Sequence, residues 1–201
     1  MDQNQRKELL IKAMSEGMTY EEYDVFNKQL AKEGKTTGPQ KEAYVNYTKL
    51  GAARMKRWEK MYTPSEGFLQ TLAVRVQEGE QWLVFSEPWC GDAAHNLPFI
   101  AKWTKSLGIE LRVILRDHHL DLMDEFLTGG GRSIPKLVRL SSTSMSSALG
   151  AHVQRHSRHI TQNGVQILSL ITKNGYSSPR IGTTMTRARV WRVSIYSKRL
   201  L

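Results

Sequence analysis

The sequence predicts an α/β protein entered through an all-helical segment, with at least two parallel strands in its sheet. Three observations carry that prediction. Residues 1–78 show helical spacing and helix-start signals, and residues 79–140 alternate strand, helix, strand, helix, strand. The 61 residues from Ser141 onward have a different composition altogether.

The N-terminal segment opens with polar residues and only a short apolar stretch, unlike a secretory signal. Thr19-Tyr20-Glu21-Glu22 is a capping box, in which the Glu22 side chain can reach back to the Thr19 amide. The helix it opens carries Tyr23, Phe26 and Leu30 on one face and should stop near Gly34. After the loop Thr36-Thr37-Gly38-Pro39, a longer helix is predicted over roughly 40–62. Its apolar contacts would be Tyr44, Tyr47, Leu50, Met55 and Trp58. Thr63-Pro64-Ser65-Glu66 reads as a second capping box with proline at the first helical position. That helix should run through Phe68, Leu69, Leu72 and Val76 to Gly79.

Trp82-Leu83-Val84-Phe85 is a continuous apolar run, as in a strand buried on both faces. Residues 91–107 have helical spacing, and Ile109 to Leu115 alternates as a second strand. Asp117 can cap a helix bearing Leu120, Met123, Phe126 and Leu127, which Gly129-Gly130-Gly131 would break. Pro135 to Leu140 reads as a third strand.

Charge follows the same divisions. Residues 1–140 hold 20 Lys and Arg against 19 Asp and Glu, whereas residues 141–201 hold 9 Lys and Arg and no acid. Nine of the ten net positive charges therefore belong to the tail. A nucleic-acid role would have to rest on Arg187, Arg189, Arg192, Lys198 and Arg199 with Trp191 and Tyr196, which suit phosphate contact and base stacking. No apolar run of about 18 residues is present, so no transmembrane helix is expected.

Cys90 is the single cysteine, so no internal disulfide can form, in keeping with a reducing, cytoplasmic setting. It lies in Glu87-Pro88-Trp89-Cys90-Gly91-Asp92-Ala93, between a buried strand and a helix. Ser133-Ile134-Pro135 stands before the third strand. The order resembles that of the thioredoxins, with their Trp-Cys-Gly-Pro-Cys site and cis-proline loop. It is most similar to a bacterial thioredoxin-like family with a helical N-terminal extension. The matching residues are Glu87 with Trp89 to Asp92, Arg116-Asp117 with Leu122-Met123-Asp124, and Gly130 to Lys136. In the extension they are Tyr47-Thr48-Lys49-Leu50 and Arg54-Met55-Lys56-Arg57. The resemblance covers about residues 15–140, and Gly51 departs from the Asn expected there.

The resemblance implies a thioredoxin-like fold: a central mixed sheet flanked by helices over 79–140, an extension over 1–78, and an irregular tail over 141–201. It also implies Cys90 as the reacting group, with Trp89, Gly91, Asp92, Ile134 and Pro135 around the bound partner. No cofactor and no metal are expected; the partner would be a protein or a low-molecular-weight thiol.

A thiol in the first helical turn meets the positive end of the helix dipole and unpaired N–H groups, which favour thiolate. Asp92 opposes this, since its charge disfavours a second anion. Ala93 occupies the position where dithiol thioredoxins carry their resolving cysteine. The second thiol must come from outside, unless Cys90 is an inert buried residue on a binding scaffold. Other features carry less. Gly129 to Ser133 lacks the Gly-Lys-Ser/Thr of a phosphate loop and reads as a mobile connector. His118 and His119 are adjacent, so on a helix they share no face, and they read as surface residues. Arg54, Lys56, Arg57 and Lys60 read as a solvated helix face.

The tail lacks the Trp-Gly-Pro-Arg-Pro segment and C-terminal helix that the resemblance calls for. Joining the third base of each codon to the first two of the next permits Trp-Gly-Pro-Arg-Pro across Leu149 to Gln154. The same operation permits His-Trp-Tyr-Tyr-Tyr-Asp across Arg180 to Arg187. The tail is accordingly expected to be read out of frame, from a shift between about Leu140 and Ser147. The domain would then lack an edge strand and a covering helix.

Overall fold

In the computed structural model of the chain, residues 1–141 and 194–196 are described. Four helices precede the first strand: α1 Gln3–Glu16, α2 Tyr20–Glu33, α3 Glu42–Met61 and α4 Glu66–Ala73. Then come β1 Gln81–Ser86, α5 Gly91–Leu107, β2 Glu110–Leu115, the one-turn helix α6 Leu120–Met123, β3 Lys136–Leu140 and β4 Ser194–Tyr196. The expectations for residues 142–193 and 197–201, including the out-of-frame segments and the basic residues offered for nucleic acid, lie outside the described residues.

The start and stop of α2 follow from its ends. Thr19 accepts the Glu22 amide, the Glu22 side chain accepts the Thr19 amide, and Gly34 closes the helix in the left-handed region at φ 67°. The second capping box differs from expectation. Ser65, not Thr63, is the N-cap, and its oxygen accepts the Phe68 amide. Pro64 therefore stands before the helix. The helix ends at Ala73 rather than Gly79, where Arg75 and Val76 make tighter bonds to Leu72 and Ala73 carbonyls.

In α3 the buried positions are Thr48, Gly51, Ala52 and Met55, an i, i+3, i+4, i+7 stripe. Tyr47 and Leu50, expected as contacts, are 52% and 49% exposed. The small residues decide which face goes inward, because they let α3 approach its neighbours closely.

The sheet order is β2-β1-β3-β4, with β1 parallel to β2 and antiparallel to β3. Side chains alternate across it. Trp82, Val84, Val113 and Leu137 face Leu97, Ile100 and Trp103 of α5, joined by Tyr23, Met55 and Leu72 from the N-terminal helices. Leu83, Phe85, Ile114, Val138 and Leu140 face Leu10, Ala13 and Met14 of α1 with Leu122, Met123 and Phe126. Both faces are thus closed partly by the first helices. Each fully buried Leu- or Phe-sized side chain contributes roughly 1.5–3 kcal/mol. From the tail, Ser194–Tyr196 pairs in parallel with Lys136 to Val138, so the β3 edge is covered by a strand where an open edge was expected.

Asp117 does not cap a helix. Residues Arg116–His118 form a 3-10 turn, α6 is only Leu120–Met123, and a second 3-10 turn spans Asp124–Phe126. Asp117 is engaged elsewhere: its amide donates to Glu87 and its carboxylate accepts from Arg116. The glycine run forms a tight turn. Thr128 and Gly131 exchange both backbone hydrogen bonds, at 2.9 and 3.0 Å. Arg132 holds Asp124 in a two-pronged pair at 2.6 and 2.7 Å.

Candidate functional site

Pairing of Phe85 with Lys136 puts the end of β1 beside the start of β3. The loop leaving β1 and the loop entering β3 therefore meet at one end of the sheet. The first carries Trp89 and Cys90; the second carries Ile134 and Pro135, joined by a cis peptide.

Cys90 is the N-cap of α5, and its backbone N–H donates to the Glu87 carbonyl at 2.9 Å. Its Sγ accepts the Ala93 N–H at 3.4 Å and donates to the Ile134 carbonyl at 3.5 Å. Only 7% of the residue is exposed. That burial corrects the expectation of a thiolate-favouring site. Desolvation pushes the Cys90 thiol above its ordinary range, the Ala93 N–H opposes this, and the Asp92 charge adds to it.

Of the other expected residues, Trp89 stacks on Tyr44 of α3, with ring centroids 5.1 Å apart and planes 19° apart, and Arg116 lies 5.1 Å from the Trp89 ring. Gly91 and Asp92 open α5. A side chain on Gly91 would begin 3.2 Å from Nη1 of Arg54. Arg54 thus stands half-buried against the loop, apart from Lys56, Arg57 and Lys60, which remain exposed. Asp92 is raised by burial, against the pull of His95 and Arg54. Ile134 supplies its carbonyl to the thiol.

The helix α3 runs along this loop. Tyr44 touches Trp89, Gly51 faces Pro88, Arg54 faces Gly91, and Trp58 Nε1 donates to His95 Nδ1 at 2.9 Å. Gly51, the departure from the family pattern, leaves little space for a side chain, since a Cβ there would lie 3.0 Å from the Pro88 carbonyl oxygen, which would have to give by a few tenths of an ångström.

Two participants carried no individual signal. Glu87 is 1% exposed and raised by burial, while Thr37 and the Asp117 amide donate to it. The Tyr23 hydroxyl shares a 2.9 Å hydrogen bond with Ser86 at the end of β1. Glu87 was visible only as a letter of a motif, and Tyr23 only as one position of an apolar face. Among the described residues, no three His, Cys, Asp or Glu side chains are grouped to hold a metal, and no helix is long and apolar enough to cross a membrane.

A mixed sheet with helices on both faces, a cysteine at a helix N-terminus and a proline loop against it define a thioredoxin-like class of α/β protein. The thioredoxin family profile matches residues 38–158. The chain belongs to the thioredoxin family, and its fold is thioredoxin-like with a helical N-terminal part. A general thioredoxin-like redox function, on protein or thiol substrates, goes with that membership. No curated protein and no solved structure matches the chain.

Proposed function

We propose that the chain performs monothiol–disulfide exchange through Cys90, in the cytoplasm, with a protein or low-molecular-weight thiol as partner. Trp89, Gly91, Asp92, Ile134 and Pro135 form the surface around the sulfur. The observation that carries this reading is Sγ held between the Ala93 N–H and the Ile134 carbonyl at the first turn of α5. Cys90 loses its proton and attacks one sulfur of the partner disulfide. The partner's S–S bond breaks, a mixed disulfide forms, and the leaving thiolate takes up a proton. A second external thiol then attacks the mixed disulfide and restores Cys90. With one cysteine in the chain no internal resolution is available.

The test is incubation with 2,2′-dithiodipyridine or an oxidised low-molecular-weight thiol, followed by intact mass. One adduct is expected on the parent and none on Cys90→Ser. Absence of the adduct on the folded parent favours the second reading, a redox-inactive binding protein. The observation behind that reading is the buried thiol with its raised pKa.

The same proposal divides the chain into a helical extension over 1–78, a working domain over 79–140 and an out-of-frame tail over 141–201. The absence of any acid after Ser141 supports the last part. The family match running to residue 158, past the expected junction, and the pairing of Ser194–Tyr196 with β3 weigh against it. Sequencing codons 136–201 decides. A shifted frame that meets stop codons before position 190 removes the idea.

A further inference from the structure

We infer that Glu87 is the positioning residue of the Cys90 site and acts as a clamp between the thiol loop and the N-terminal helices. Three segments converge on it. Oε2 accepts from Thr37 Oγ1 in the loop between α2 and α3. Oε1 accepts the Asp117 amide at 2.9 Å, in the turn after β2. Its own carbonyl accepts the Cys90 amide at 2.9 Å. At 1% exposure the carboxyl exchanges little with water, so these donors are its solvation.

The clamp is reinforced around its edge. A Cβ on Gly38 would lie 3.7 Å from Asp117 Oδ2, so the Thr37-Gly38 loop is seated on the same turn. Arg116 in that turn pairs with Asp117 at 2.8 Å and lies against the Trp89 ring. The chain from Thr37 to Glu87 to Cys90 is therefore a direct link from the helical segment to the sulfur. The N-terminal helices become a working part of the thiol site: loss of the Thr37 bond loosens the Glu87–Cys90 turn and uncovers the thiol. The significance of the clamp for exchange rests on the reading of Cys90 as the exchanging thiol. Its existence does not.

The test uses the full chain, in which Cys90 is the single cysteine and its alkylation by iodoacetamide is unambiguous. Thr37→Val should alkylate about tenfold faster than the parent, the scale of one lost bond to a charged group. Thr37→Ser should return the parental rate. The gain should persist at low urea with little urea dependence, which marks local opening. A parental rate in Thr37→Val, a failure of Ser to rescue, or a gain with the full urea slope of global unfolding would each overturn the clamp. Parallel treatment with 2,2′-dithiodipyridine separates the two readings. No adduct in either protein, with alkylation still responding to Thr37, removes exchange and supports the clamp.

Discussion

Gly51 of α3 lies against the carbonyl of Pro88, so close that a Cβ there would sit 3.0 Å from that oxygen and 3.7 Å from the Ala94 methyl. The contact joins the longest helix of the N-terminal segment to the loop that delivers Cys90. It is a backbone contact on the Pro88 side, so neither partner can turn away as a flexible side chain would.

Gly51→Ala should accordingly destabilise the protein by about 1–3 kcal/mol, the range of small overpacking changes. Better helix propensity of Ala offsets about 1 kcal/mol at most. Urea denaturation of the two proteins measures it. Gly51→Asn should cost more, since its branched amide needs the same space. Equal stability of the Ala variant would show that α3 can slide off the loop without loss.

Cys90 should titrate above the free-thiol value of about 8.5. Burial and Asp92 both act in that direction, and the Ala93 N–H only offsets them. At neutral pH its alkylation should be slower than that of a free cysteine peptide. Asp92→Asn should move the rate profile to lower pH, because the substitution removes a repelling charge and keeps the shape. A parental profile centred below 8, or one unmoved by Asp92→Asn, would contradict this balance.

Much of this arrangement was legible in the sequence, for reasons that differ by element. The α2 ends were readable because capping is local chemistry, settled by Thr19, Glu22 and Gly34 alone. α5 was readable over 91–107 from its helical spacing, and in the structure it lies between Cys90 and the left-handed Gly108. Ser65 was misassigned because Thr63 and Ser65 are both competent caps, and only the wider packing selects one. The exposed side of α3 was misjudged since Tyr47 and Leu50 look buried on hydropathy, while a glycine at 51 gives no apolar signal. The thiol's raised pKa could not be read from α5 alone. The dipole argument concerns one helix, whereas desolvation comes from groups distant in sequence, including the Ile134 carbonyl and the α3 face.

The ion pair at the far end of the sheet should be worth more than a surface pair. Glu80 and Arg139 have side chains only 4% and 12% exposed. Glu80 also accepts from Trp82 Nε1 at 2.6 Å and the Gln77 amide at 3.1 Å. Glu80→Ala would leave the guanidinium, the indole N–H and that amide short of an acceptor. The expected cost is about 3–5 kcal/mol, as for a buried pair broken on one side. Arg139→Met should cost less than Glu80→Ala, because Trp82 and Gln77 still satisfy the carboxylate. Thermal melts of both variants give the order, and the reverse order would show that Arg139 rather than Glu80 is the hub.

His95 should make stability fall as the solution is acidified. Burial and Arg54 lower its pKa, with Asp92 opposing, so the folded state prefers neutral imidazole. Its Nδ1 accepts the Trp58 indole N–H, which a proton on that nitrogen would exclude. The unfolded chain takes up its proton near the ordinary value of about 6.5. Below that value the unfolded state binds more protons than the folded one, and stability decreases with falling pH until the lowered folded value is passed. His119 is lowered by burial too and adds to the same trend. Melting temperatures between pH 7.5 and 5.5 should therefore decline in the parent and decline less in His95→Gln, whose side-chain oxygen can still accept from Trp58. The residual decline in that variant belongs to His119, whereas the raised carboxyls of Asp24, Glu87 and Asp92 act in the opposite direction. An identical slope in both proteins would mean that His95 binds its proton equally well folded and unfolded, and that the Trp58 bond places no constraint on its charge.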